Sequence, residues 1–85
     1  MKREWMITFR SVTYAQRAER TLRTRQILSQ IQRTPKHLTD RGCGYCLRLA
    51  ELDMPRAVEI LRREKLPFEK MYVIGENGAT EERVL

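Results

Sequence analysis

The sequence predicts one α+β domain in which two helices alternate with four strands in the order β-α-β-β-α-β. Three observations carry this. Two stretches, near residues 13–24 and 53–65, repeat small and branched apolar residues at helical spacing. Four short stretches alternate apolar and polar residues or are largely apolar, as strands do. Turn-forming residues, among them Pro35, Gly42, Pro67 and Gly75, punctuate the chain between them.

The first strand is Trp5-Met6-Ile7-Thr8-Phe9, with Trp5, Ile7 and Phe9 on one face at period two. Ser11 or Thr13 then caps a helix, and Thr13 with Gln16 fits the capping-box spacing. Ala15, Ala18 and Leu22 form its apolar stripe, small enough to let the helix lie close on a sheet. Ile27 to Gln32 predicts a second strand, polar on one side and therefore at an edge. A loop follows from Thr34 to Gly42. From Gly44 to Leu49, Tyr45, Leu47 and Leu49 alternate with Cys46 and Arg48, as in a half-buried strand. The second helix starts near Asp53 and Pro55, because proline suits a first turn, with Glu51 and Asp53 as capping residues. Its apolar face is Ala57, Val58 and Leu61, with Met54 and Ile60 beside them. Leu66-Pro67 ends it, and Phe68 to Ile74 is the fourth strand. Residues 75–85 show no periodicity and are expected to form a flexible C-terminal tail behind a domain of residues 1–74.

Helices between strands permit crossovers that put both helices on one face of a single antiparallel sheet. This is the ferredoxin-like arrangement, and it leaves the opposite sheet face open to solvent or a partner. The arrangement hosts many functions, so function must come from a site.

The 85 residues suffice for one core, and a chain of this size buries only about 60–65% of its unfolded surface. A surface site at a loop or strand end is therefore expected in place of a deep cleft. Seventeen basic residues stand against 11 acidic ones, a net charge of +6. The excess could attract an anionic partner or simply solvate the surface. No apolar run approaches the ~20 residues of a membrane span, and Met1 to Trp5 leads directly into a strand pattern. Two cysteines without a secretion signal do not make a disulfide framework, so the expected location is cytoplasmic, with free thiols. No cofactor motif, paired catalytic carboxylates or Ser-His-Asp arrangement can be assembled.

The candidate for chemistry is the thiol of Cys43. It stands between Gly42 and Gly44 where a loop meets a strand, and flanking glycines let a ligand or another backbone come close. Lys36, His37, Arg41 and Arg48 surround it in sequence with Asp40 the one acid between, and positive neighbours favour the nucleophilic thiolate. The competing reading is a small buried hydrophobe. Cys43 and Cys46 also form a C-x-x-C, but in an extended chain their Cα atoms lie roughly 10 Å apart. A disulfide needs about 4.4–6.8 Å, so an internal redox pair requires a turn at Gly44. Zinc is disfavoured, because Cys43, Cys46 and His37 lack a fourth ligand. Nucleic acid is disfavoured too. Arg41 to Arg48 partly matches the aromatic signature of an RNA-recognition strand, but Cys43 and Arg48 replace stacking aromatics and the strand phase is wrong.

With these residues in hand, three segments resemble the selenium/sulfur carrier protein-like family of small bacterial domains. They are Ile7 to Ser11 with Ala18 to Leu22, Cys43-Gly44 with Leu47 to Leu49, and Ala57 to Leu61 with Phe68 and Tyr72. The resemblance spans Trp5 to Ile74. It implies that Cys43 carries sulfur or selenium as a persulfide-type adduct and that Gly44 keeps the approach open for donor and acceptor proteins. Arg41 and Arg48 would stabilise the thiolate, and Cys46 would be a second thiol or a filler. The expectation is a carrier and not an enzyme with turnover. The alternative is an interaction module or homodimer built on the open sheet face, with weak nucleic-acid binding through the Arg-rich body as a third reading.

Overall fold

Strand β1 (Glu4–Phe9) is buried along nearly its whole length, and the other elements are arranged around it. The structure, a computed structural model, describes residues 3–38 and 44–84. After β1 come α1 (Val12–Thr24), β2 (Gln30–Arg33), a 3-10 turn (Lys36–Leu38), β3 (Tyr45–Ala50), a second 3-10 turn (Glu51–Asp53), α2 (Met54–Arg63), β4 (Met71–Ile74) and β5 (Thr80–Arg83). The strands form one antiparallel sheet in the order β2-β3-β1-β4-β5. The α+β class and the expected alternation of strands and helices are therefore present, with one strand added.

Side-chain alternation divides the sheet into two faces. Trp5, Ile7 and Phe9 of β1, Leu47 and Leu49 of β3 and Met71 and Val73 of β4 point into one cluster. Ala15, Ala18 and Leu22 of α1 close it with Ala57, Val58 and Leu61 of α2, so both helices lie on that face. Each fully buried Leu or Phe there is worth about 1.5–3 kcal/mol. The α1 cap is Ser11, whose Oγ accepts from Tyr14 N at 3.4 Å; Thr13 lies inside the helix.

The two helices end the same way. Gln26 and Lys65 sit at φ 65° and 56°, beyond the ends of α1 and α2. Gln26 N donates to Arg23 O and Ile27 N to Leu22 O; Lys65 N donates to Arg62 O and Leu66 N to Leu61 O. These are paired Schellman closures, each joining a buried apolar residue after the helix to one in its last turn. Left-handed backbone is costly for a residue with a Cβ. Gln26→Gly and Lys65→Gly are each expected to raise stability by about 0.5–1 kcal/mol, read as a higher urea midpoint at unchanged slope.

Four expectations are corrected. The second strand starts at Gln30, not Ile27, because Ile27 is consumed by the α1 closure. Residues 75–85, expected as a flexible tail, contain β5. A turn at Gly75 to Ala79, with Gly78 at φ 84°, returns the chain along the otherwise unpaired edge of β4. Asp53 makes no side-chain cap, and Glu51 accepts from Trp5 Nε1 at 2.9 Å, tying the β3–α2 turn to β1. The second sheet face is not open at its centre. Met6, Cys46 and Tyr72 form a buried cluster there, with Leu38 and Ile74 packed against it. The turn carrying Leu38 is also held to β5 by a hydrogen bond between His37 Nε2 and Thr80 Oγ1 at 3.2 Å.

Candidate functional site

Arg41, Gly42 and Cys43 lie outside the described residues. Gly44 is the described residue covalently joined to Cys43. Gly44 has φ 134°, a backbone region that residues with a Cβ rarely occupy. A Cβ built there would lie 3.5 Å from the Phe9 carbonyl oxygen and 3.6 Å from Thr34 Oγ1, ordinary contact distances. The backbone angle, more than crowding, is what calls for glycine. The Gly44 carbonyl accepts from Thr34 N at 3.1 Å, closing the β2–β3 end of the sheet.

That end gathers several groups. Phe9 pairs with Tyr45, so the chain leaving β1 passes Arg10 and the capped start of α1 beside it. The first turn of α1 holds no acidic residue. Arg33, at the end of β2, lies with its guanidinium carbon 5.9 Å from the centre of the Tyr45 ring. Arg10, Arg33 and Thr34 were not singled out from sequence, because they are remote from Cys43 along the chain and only strand pairing brings them to Gly44.

Cys46 points to the second sheet face and is fully buried. Its Sγ donates to Met6 Sδ at 3.6 Å. Burial pushes the thiol above its ordinary value of 9.0, opposed by the Thr34 hydroxyl, the Gln32 amide and the charge of Arg48. The Thr34 hydroxyl approaches without completing a hydrogen bond, and its Oγ1 is buried with no full partner. Cys46 is thus a neutral core thiol at pH 7, chemically unlike an exposed carrier thiol.

The sign of its contribution to stability follows. Below pH 9.0 the thiol is protonated in folded and unfolded chains alike, and its contribution is fully present. Above that value the unfolded chain ionises first and the folded state loses stability, until the raised folded value is passed. The loss is bounded by ~1.4 kcal/mol per pH unit. Comparing wild type with Cys46→Ala by urea titration from neutral to alkaline pH isolates it: the wild type should fall more steeply. Parallel curves would mean that burial does not perturb the thiol.

Arg48 is half-buried on the same face as Cys46 and forms an ion pair with Glu4. It stands four residues from Gly44, roughly 13 Å along β3. The structure therefore brings Arg48 to the β1 start, away from the Gly44 end. His37 faces Thr80, and among the described residues no three His, Cys, Asp or Glu side chains gather as a metal site.

Fold and site define a small α+β domain in which a strand opens on glycine directly after a cysteine, with a second cysteine sealed in the sheet. The chain belongs to the family described as "Putative Se/S carrier protein-like", whose model matches residues 4–73. The match runs from β1 through the Cys43-Gly44 pair to β4 and leaves β5 outside. No match is found among curated proteins or among solved structures. Among the described residues, no helix is long and apolar enough to cross a membrane.

Proposed function

We propose that this protein is a sulfur or selenium carrier that holds the atom on Cys43 and passes it between a donor and an acceptor protein in the cytoplasm. The observation that carries the reading is family membership across residues 4–73, including Cys43-Gly44. In the sulfur case the Cys43 thiolate attacks the outer sulfur of a donor persulfide. The new bond is Cys43 Sγ–S, the bond broken is the donor's S–S bond, and the donor leaves as a thiolate. The sulfane sulfur keeps its oxidation state, so no external oxidant is consumed. A selenium atom bound to a donor sulfur transfers by the same displacement. Gly44, the residue joined to Cys43, lies beside the Phe9 carbonyl, two residues before the Ser11 cap of α1. A helix start without acidic residues, together with Arg10, Arg33 and Arg41 nearby in space or sequence, supports an anionic sulfur. Cys46 is assigned to packing, since its thiol is buried against Met6. The closed centre of the second face weighs against a module that works through an open sheet.

The test is the intact mass and peptide map of protein purified from its own host without reductant. A reducible increment of one sulfur or selenium on Cys43 is expected. An unmodified Cys43 that resists alkylation in the folded protein would overturn the reading.

A further inference from the structure

The chain's charge excess is confined to one layer. Residues 10–25 and 54–65, which make up α1, α2 and their ends, hold nine of the 17 basic residues and three of the 11 acidic ones. That layer alone accounts for the net +6, and the rest of the chain is balanced, eight against eight. All nine basic residues are exposed. The three glutamates are engaged within the layer, Glu19 with Arg23 at 3.6 Å, Glu59 with Arg63 at 3.3 Å and Glu64 with Arg25 at 3.6 Å. Arg10, Arg17 and Arg20 have no carboxylate partner among the described residues.

Two exposed leucines stand close in sequence to the contact that joins the helices. Arg56 donates to the Arg25 carbonyl at 3.2 Å, joining the first turn of α2 to the end of α1. Leu28, three residues past Arg25, is 77% exposed, and Leu52, four residues before Arg56, is 89% exposed. Protein interfaces are enriched in arginine and surround an apolar core with a polar rim. A polyanion such as nucleic acid would use the arginines and leave the leucines idle.

We propose that the α1–α2 layer docks an acidic protein surface, with its exposed arginines, Arg17 and Arg20 among them, supplying the attraction and Leu28 and Leu52 anchoring the contact at the helix junction. The opposite charge of the partner is what commits the surface to it, since a second copy of this chain would bring the same positive layer. The proposal does not depend on Cys43.

The probe is a fluorescently labelled acidic amphipathic peptide, glutamate on one face and leucine on the other, titrated by anisotropy at physiological ionic strength. A single-stranded oligonucleotide of equal charge is titrated in parallel. The peptide should bind more tightly than the oligonucleotide. Arg17→Gln and Arg20→Gln combined should weaken it several-fold and flatten its salt dependence. Leu28→Ser with Leu52→Ser should weaken the peptide several-fold while leaving the salt dependence unchanged. Cys43→Ser should bind as wild type, which separates this surface from the carrier thiol. All variants are at exposed positions, and circular dichroism checks their fold. Peptide binding that is absent, or unchanged in the leucine variant, overturns the proposal, and so does tighter binding of the oligonucleotide.

Discussion

Replacing Cys43 by serine is expected to abolish the reducible sulfur or selenium increment completely, while Cys46→Ala retains it. Both outcomes follow from sulfur chemistry and burial. A hydroxyl at position 43 cannot form the S–S or S–Se bond that holds the cargo, and its pKa gives no anion near pH 7 to attack a donor. Cys46 in the folded chain is a neutral thiol packed on Met6 Sδ, short of both thiolate and access. Cys46→Ala does remove a buried sulfur, so a loss of about 1 kcal/mol of stability is expected with the cargo still present. The measurement is intact mass before and after reduction, on both variants, with circular dichroism as the check on folding. An increment that persists in Cys43→Ser and vanishes in Cys46→Ala would move the chemistry to the interior and reverse the roles of the two thiols. Loss in both variants would point to a shared C-x-x-C pair.

The placement of Cys46 was partly legible in the chain. The alternation Tyr45, Leu47, Leu49 against Cys46 and Arg48 predicts the face of Cys46, because successive side chains of a regular strand point to opposite faces of the sheet. Its burial was not legible. That depends on Leu38, eight residues earlier, lying over Met6 and Tyr72, and no periodicity announces a loop that folds across a sheet. Helices were read well because Ala15, Ala18 and Leu22 and then Ala57, Val58 and Leu61 repeat at helical spacing. Their ends were read less well: Ile27 looked like a strand residue, but it is the apolar lock of a Schellman closure. β5 was missed for a different reason. Thr80-Glu81-Glu82-Arg83 has no apolar face, since it covers a sheet edge and buries little, while the Asn77-Gly78 pair that marks a tight turn lay in view. Arg48 was joined to the thiol by sequence proximity alone. An extended strand carries a residue about 3.3 Å farther at every step, so four positions suffice to deliver it to Glu4 instead.

Gly44→Ala is expected to cost about 1–3 kcal/mol, a substantial part of the roughly 4–13 kcal/mol available to a domain of this length. The reasoning separates two roles a glycine beside a reactive thiol can have. One is access: a missing side chain lets a donor approach. The other is conformation: φ 134° is a region that alanine resists. An added methyl would meet Phe9 O and Thr34 Oγ1 at 3.5 and 3.6 Å, so it fits sterically, and the cost falls on the backbone. If the chain rotates at 44 to relieve the strain, the Thr34 N–H bond to the Gly44 carbonyl is sacrificed and the β2–β3 end opens. Urea unfolding and amide exchange at Thr34 read the conformational role; the rate at which a small persulfide donor loads Cys43 reads the access role. Lower stability with faster Thr34 exchange is the expected result. Unchanged stability with slower loading would assign the glycine to access and would mean that residue 44 can take an ordinary φ. A fall in both would mean that the angle at Gly44 is itself what presents the thiol, making one backbone dihedral common to the fold and to the chemistry.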